Sequence, residues 1–400
     1  MHMINVVWGG IMGKGCDGVF IAQLAVILFA AKLAGDLAVR LGQPAVLGKL
    51  LIGIVLGPSV LGVIEDTDLL QELSQIGVIL LMFIAGLETD MDQFRRTGKA
   101  AVAVGVLGIL VPLLAGYAAS AAFGMETGTA LFLGLLLSAT SVSISVQALK
   151  EMGQLQSKEG SAILGAAVID DVLVVIALAF LLSLTGGDVE LGAVVLKKAV
   201  FFAVAILLAW KAIPLVLKWF APLRVTEAVV SAGLVICFAF AYFAEAMGVA
   251  AIIGAYMAGL GASFTDYREE VFEKVETIAY SLFVPVFFTS IGVAADFSGI
   301  VEHWPLIVGW SALAILTKLV GAALGAKWAG FSWGSSLAVG AGMVSRGEVA
   351  LIIAGIGLEA GLLDGDMFAV MIIVVLVTTV VTPPLLKMIF SRLHPVRRTA

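Results

Sequence analysis

The stretch LGAAVIDDVLVVIAL, residues 164–178, decides how this chain is read: two adjacent aspartates, Asp170 and Asp171, sit in an otherwise apolar run with no turn residue. Such a run suits a helix crossing a bilayer, where an ionisable group costs about 2.5–3.5 kcal/mol on insertion scales and needs both a partner and a purpose. The composition around it agrees. Of 400 residues 61% are hydrophobic and 13% charged, against about 45–50% and about 25% in soluble domains. Mean hydropathy is +1.11 and spread along the chain, which implies a polytopic membrane protein rather than a soluble domain with one anchor. Cys16 and Cys237 are far apart and no CxxC pair occurs, so neither a disulfide framework nor a zinc site is expected. The net charge of −6 says little, and no basic cluster with interleaved aromatics points to nucleic acid. Residues 1–17 hold one lysine, and the apolar stretch from Val19 suits a first span better than a cleavable signal.

Walking outward, about thirteen segments can cross, at about 18–40, 44–62, 69–88, 98–123, 127–149, 160–185, 190–219, 225–246, 248–263, 271–294, 304–329, 334–358 and 366–391. Strands are excluded because alternating ten-residue segments are absent. Seventeen basic residues, from Arg40 and Lys49 to Arg397 and Arg398, fall on one side of this arrangement, and only Lys14, Lys197 and Lys198 on the other. The positive-inside rule then puts the N-terminus outside and the C-terminus in the cytoplasm, which requires an odd number of spans.

Shifting the chain by 206 positions lays Gly86 and Asp90 on Gly292 and Asp296, in helix ends reading GLETD and GVAAD, and aligns several pairs of spans. The halves start seven crossings apart, so the second enters from the opposite side. That is an inverted-topology repeat, the pattern of secondary transporters, with repeat one at about 18–185, a connector at about 190–219 and repeat two at about 225–391.

Five charges fall in the middle third of their spans: Asp170 roughly 14 Å from the cytoplasmic end, Asp171 beside it, Lys318 roughly 12 Å, Arg346 roughly 16 Å and Glu348 roughly 19 Å. Adjacent helical residues point about 100° apart, so the two aspartates divide their roles. One can pair with Lys318 while the other faces a cavity and binds a proton or bare cation. The segment LSATSVSISVQAL, with Ser138, Thr140, Ser141, Ser143 and Ser145, and the segment VSRGEVAL, with Gly347, are expected interruptions whose freed oxygens suit a hard monovalent cation. Arg346 and Glu348 are expected to pair and neutralise the second break. His2, His303 and His394 lie at span ends or tails, out of reach of a midplane relay, and Trp8, Trp219, Trp304 and Trp333 read as interfacial anchors. An intramembrane aspartyl protease would need its carboxylates on separate helices, and a channel would not need buried titratable groups in an inverted repeat.

On the motifs ATSVSIS (139–145), AAVIDDV (166–172), Lys318 in the antepenultimate span and SRGEV (345–349), the chain resembles bacterial sodium/proton antiporters of the NapA-like type, in the cation:proton antiporter 2 family that includes the Kef potassium efflux systems. The resemblance covers about residues 18–392. It implies no enzyme, no cofactor and an NhaA/NapA-like antiporter fold with two crossed broken helices. A core at about 98–185 and 304–391 would move like an elevator against a dimer scaffold at about 18–88 and 225–294. It implies a homodimer in the bacterial inner membrane exchanging Na⁺ or Li⁺ for protons in pH homeostasis, with potassium exchange of the Kef type as the alternative. Asp171 then matches the cation- and proton-binding carboxylate, Asp170 the partner of Lys318, Thr140 and Ser141 further Na⁺ ligands, and Arg346 with Glu348 the charged break. An intact aspartate pair with the lysine implies electrogenic exchange. Kef systems carry a nucleotide-binding domain after the last span; about eight residues follow here, so gating through such a domain is not expected.

Overall fold

The computed structural model describes residues 16–41, 43–89, 91–184, 191–294 and 300–393. Among them no strand occurs. The helices are α1 (Cys16–Arg40), α2 (Ala45–Leu56), α3 (Asp68–Glu88), α4 (Met91–Ala122), α5 (Thr127–Leu136), α6 (Val142–Glu151), α7 (Lys158–Leu184), α8 (Leu191–Phe220), α9 (Ala228–Ala246), α10 (Ala251–Ala262), α11 (Arg268–Ile278), α12 (Val284–Val293), α13 (Ile300–Trp328), α14 (Trp333–Gly342), α15 (Glu348–Glu359) and α16 (Gly365–Leu393). A π-turn at Ala279–Phe283 joins α11 to α12 in one continuous rod.

The sequence implies thirteen crossings, whereas nine helices among the described residues are long and apolar enough to cross by themselves. The other four expected segments hold shorter apolar pieces: Ala45–Leu56, Thr127–Leu136, Ala251–Ala262 and Val349–Leu358. Two causes operate. A 12-residue helix such as α2 rises only about 18 Å, and the segments at 127–149 and 334–358 are each broken in two, as their polar clusters lead one to expect. The π-turn left no mark in the sequence pattern.

Burial follows the bilayer rather than water. Phe29, Leu33, Leu37 and Trp210 are exposed along helix flanks, as lipid-facing residues are. Trp219, Trp328 and Trp333 stand exposed at helix ends, the position of interfacial anchors; Trp8 lies outside the described residues. Helix α4 packs on α5, α7 and α13, and α13 in turn on α14 and α16, while α3 packs on α10 and α12, and α2 on α1 and α12. Connector α8 touches α7, α9 and α10.

Small residues set the closest crossings. A Cβ on Gly53 would lie 2.1 Å from the Thr289 carbonyl oxygen, and one on Gly292 2.3 Å from that of Leu50. A Cβ on Gly259 would lie 2.1 Å from the Phe83 oxygen, and one on Gly86 2.3 Å from that of Tyr256. The two pairs are related by the 206-residue displacement, since Gly53 maps to Gly259 and Gly86 to Gly292, so the same crossing is made twice with the partners exchanged. Asp90 and Asp296, which the same displacement aligns, lie outside the described residues.

These crossings give a paired expectation. Gly53→Ala and Gly259→Ala each force backbone apart and should lower stability by about 1–3 kcal/mol, read as a lower thermal midpoint of the detergent-purified protein. Gly309→Ala, where nothing lies within 4 Å of the added carbon, should leave the midpoint in place.

Candidate functional site

The site is built on two interrupted helices. Leu137 closes α5 and Ser141, extended at φ −106° and ψ 105°, opens α6; Met343 closes α14 and Gly347 opens α15. The two breaks lie against each other. The Ser141 N–H donates to the Ser345 carbonyl at 2.8 Å, and the Ser345 hydroxyl donates to the Ser141 carbonyl at 2.5 Å. The Ser145 hydroxyl adds a bond to the Gly342 carbonyl at 2.5 Å. A Cβ on Gly347 would fall 2.6 Å from Ser141 Oγ, so the crossing needs glycine for close approach.

Breaking a helix leaves the last carbonyls of its first half without intrahelical donors, at the negative end of the helix dipole. Buried cations meet them. Lys318, wholly buried on α13, donates to the Ser138 carbonyl and to Asp170 Oδ1 at 2.8 Å. Arg346, also wholly buried, donates to the carbonyls of Leu137, which closes α5, and of Val344, one residue past the Met343 that closes α14, and to that of Ala314 at 3.0 Å. The lysine head packs beside Gly108, whose hypothetical Cβ would lie 3.7 Å from Nζ, an ordinary contact. Of the two aspartates, Asp170 is therefore the one on the lysine, while Asp171, next along α7, is 7% exposed. Lys318 and Asp170 form an ion pair in which both side chains are wholly buried, as burial of charge demands.

Thr140 stands between the half-helices, 4% exposed, and its Oγ1 has no hydrogen-bond partner among the described residues. A buried hydroxyl without a partner is uncommon in native proteins. It lies in the same break as Ser138, whose carbonyl accepts from Lys318, and a hydroxyl oxygen is the kind of donor that suits a small hard cation. No group of three or more His, Cys, Asp or Glu that could hold a metal ion occurs among the described residues.

Glu348 begins α15, but its side chain lies outside the described residues, so its expected pairing with Arg346 does too. His303 sits at the start of α13, 4.0 Å from Asp366, and does not join the site; His2 and His394 lie outside the described residues. Several contributors escaped the sequence reading. Thr378 accepts from the Arg346 N–H at 3.3 Å and Thr379 donates to the Arg346 carbonyl at 2.5 Å, so α16 satisfies the second break; the signal available was the TTVVT run in an apolar span. Lys198, counted with the outer side in the sequence, is buried in α8 with its amine on the Gly248 carbonyl.

Comparison with known proteins agrees with this geometry. A family model described as sodium/hydrogen exchanger, transmembrane, matches residues 25–392. The chain is 56% identical to the Na(+)/H(+)-K(+) antiporter GerN of Bacillus cereus, over 93% of this chain and 96% of that protein. It is 41% identical to a Na(+)/H(+) antiporter of Enterococcus hirae, over 94% and 99% respectively. Among solved structures, the sodium proton antiporter MjNhaP1 from Methanocaldococcus jannaschii superposes with a TM-score of 0.71 at 16% identity, over 95% of this chain and 96% of that one, a likeness of fold. The chain is a multi-pass, all-helical membrane protein and belongs to the sodium/hydrogen exchanger family.

Proposed function

We propose that this protein is a secondary antiporter that exchanges Na⁺ or Li⁺ for protons at Asp171. The observation that carries the reading is the crossing itself: two broken helices whose freed carbonyls are held by Lys318 and Arg346, beside α7, where Asp170 is on the lysine, the next residue Asp171 is a second buried carboxylate, and the Thr140 hydroxyl has no hydrogen-bond partner among the described residues. A deprotonated Asp171 attracts a partly dehydrated cation, with Thr140 and Ser141 supplying further oxygens. A protonated Asp171 has no charge to offer, so proton and cation compete and the two fluxes are coupled. Lys318 carries a second proton: it holds Asp170 while charged and can release its proton once Asp171 takes the cation, which makes the exchange electrogenic. Glu348 and Arg346 act as charge compensation for the second half-helix pair rather than as ion ligands.

The finer reading follows the NapA-like branch: thirteen crossings, N-terminus outside and C-terminus in the cytoplasm of a bacterial inner membrane, and an inverted repeat. The crosswise glycine pairs and the facing of Ser141 with Gly347, again 206 residues apart, support the repeat. The packing of α4–α7 with α13–α16, and of α1–α3 with α9–α12, supports a core that slides against a scaffold. A homodimer is the implied assembly; α1 and α8, whose apolar windows are 17% and 22% buried, are the helices a second copy would cover most. Potassium exchange is the second reading, favoured by the name of the GerN relative, a Na(+)/H(+)-K(+) antiporter.

Reconstitution in proteoliposomes tests this. Gradient-driven exchange is expected with Na⁺ and Li⁺, and Asp171→Asn should reduce it at least about a hundredfold, an effect of about 2.7 kcal/mol; robust sodium flux in that variant would remove Asp171 from the role. Exchange with K⁺ in place of Na⁺ would select the second reading. Lys318→Ala should abolish the charge movement recorded on a solid-supported membrane, and unchanged electrogenicity would make Asp170 and Lys318 a structural pair. Thr140→Val should raise the KM for Na⁺ roughly fivefold, as loss of about 1 kcal/mol of oxygen coordination would, with KM unchanged if Thr140 is no ligand.

A further inference from the structure

A second cluster of charges lies where the C-terminal ends of α3, α6 and α11 meet. Lys150, in the last turn of α6, sits 2.8 Å from Glu276 Oε1 on α11 and 3.1 Å from Glu88 Oε2 at the end of α3. Its side chain is only 17% exposed, and its ammonium also lies 5.0 Å from the Phe272 ring and 5.1 Å from that of Tyr280, distances at which a cation is attracted to an aromatic face. One side chain thus makes four contacts, all to elements outside the group that carries the ion site. Neighbouring bonds run the same way: the Tyr280 hydroxyl, in the π-turn, donates to Gln147 Oε1 at 2.9 Å, and Lys49 on α2 lies 3.9 Å from Glu151. A cavity of about 660 Å³ opens beside them, lined by Gln147, Lys150, Glu151 and Lys387 on one side and by Lys49 and Tyr280 on the other. It gives water a place to solvate these groups when they part.

We propose that Lys150 is a positioning residue for exchange: with Glu88 and Glu276 it forms a releasable clasp that holds half-helix α6, and so the Thr140–Ser141 break, in one of the core's two positions. This rests on the reading of a core that slides against a scaffold. Lys150 is nine residues along the chain from Ser141 on the same rigid half-helix, so a shift of one carries the other. The pairs are half-buried, stronger than the exposed pairs that contribute almost nothing and free of the full desolvation that makes deeply buried pairs costly to separate. Release is therefore slow enough to govern turnover, while the ion ligands themselves are untouched.

The test uses the full chain in proteoliposomes. Lys150→Met keeps the apolar stem and loses the charge; the double variant Glu88→Gln with Glu276→Gln loses the acceptor charges instead; Lys150→Arg keeps the clasp. The first two should each raise kcat for Na⁺ exchange roughly three- to tenfold with KM changed less than about twofold, and the arginine variant should behave as wild type. An unchanged kcat, an equal change in KM, or an arginine variant that matches the methionine one overturns the clasp. A second readout stands apart from transport: spin labels at Gln154 and Glu273, in a background with Cys16 and Cys237 replaced by alanine, should report a single dominant distance that lengthens or splits in Lys150→Met. An unchanged distance distribution overturns the clasp. Absence of exchange by the wild type would instead overturn the antiport reading, and the label distances would then decide the clasp alone.

Discussion

Two buried cations seated on the carbonyl ends of opposed half-helices are the constraint on which everything else in this protein depends. Interrupting a helix inside a bilayer frees backbone groups that no water reaches, and each unsatisfied one costs several kcal/mol. Lys318 and Arg346 take up the freed oxygens of Ser138, Leu137 and Val344. Thr378 and Thr379 take up the backbone of Arg346. The cations in turn need anions at the same depth, and α7 supplies Asp170 and Asp171. Asp170, Lys318 and the carbonyl ends that Lys318 and Arg346 cap are thus joined in one network of buried polar groups.

This explains which parts were legible in the sequence. A carboxylate pair in an apolar run announces its need for a cation, and the few basic residues found at the same depth narrow the choice; Lys318 came out of that reasoning. Crowded serines announced the first break and the charged SRGEV the second. What stayed hidden shares one feature, a partner supplied from far along the chain. Thr378 and Thr379 sit in a span whose hydropathy is unremarkable, and their task appears only when α16 lies beside a break more than thirty residues away. Lys198 counts with the outer side in the sequence because it lies in the first third of the connector span, while its amine is held by Gly248, fifty residues on. Lengths misled in the same manner: α2 and α10 are too short to pass as spans on their own, because a helix wedged among others by glycine contacts need not present lipid with a full-length apolar surface.

Those glycine contacts also say where motion can and cannot occur. At Gly53 with Gly292, and at Gly86 with Gly259, backbone touches backbone with no side chain between. A side chain can swing to a new rotamer as two helices slide; a carbonyl wedged against an α-carbon has no such freedom. Shear between α2 and α12, or between α3 and α10, would drive main-chain atoms through one another, so these four helices travel as a welded block. The face where α6 meets α3 and α11 is covered instead by lysine, glutamate, glutamine and tyrosine, flexible side chains of the kind that the proposed sliding would need. Gly134 against Leu113 and Gly340 against Leu319 make the same backbone contact among α4, α5, α13 and α14, so each group of helices is stiffened from within, and the smallest residue in the chain marks which seams would stay closed in the proposed exchange.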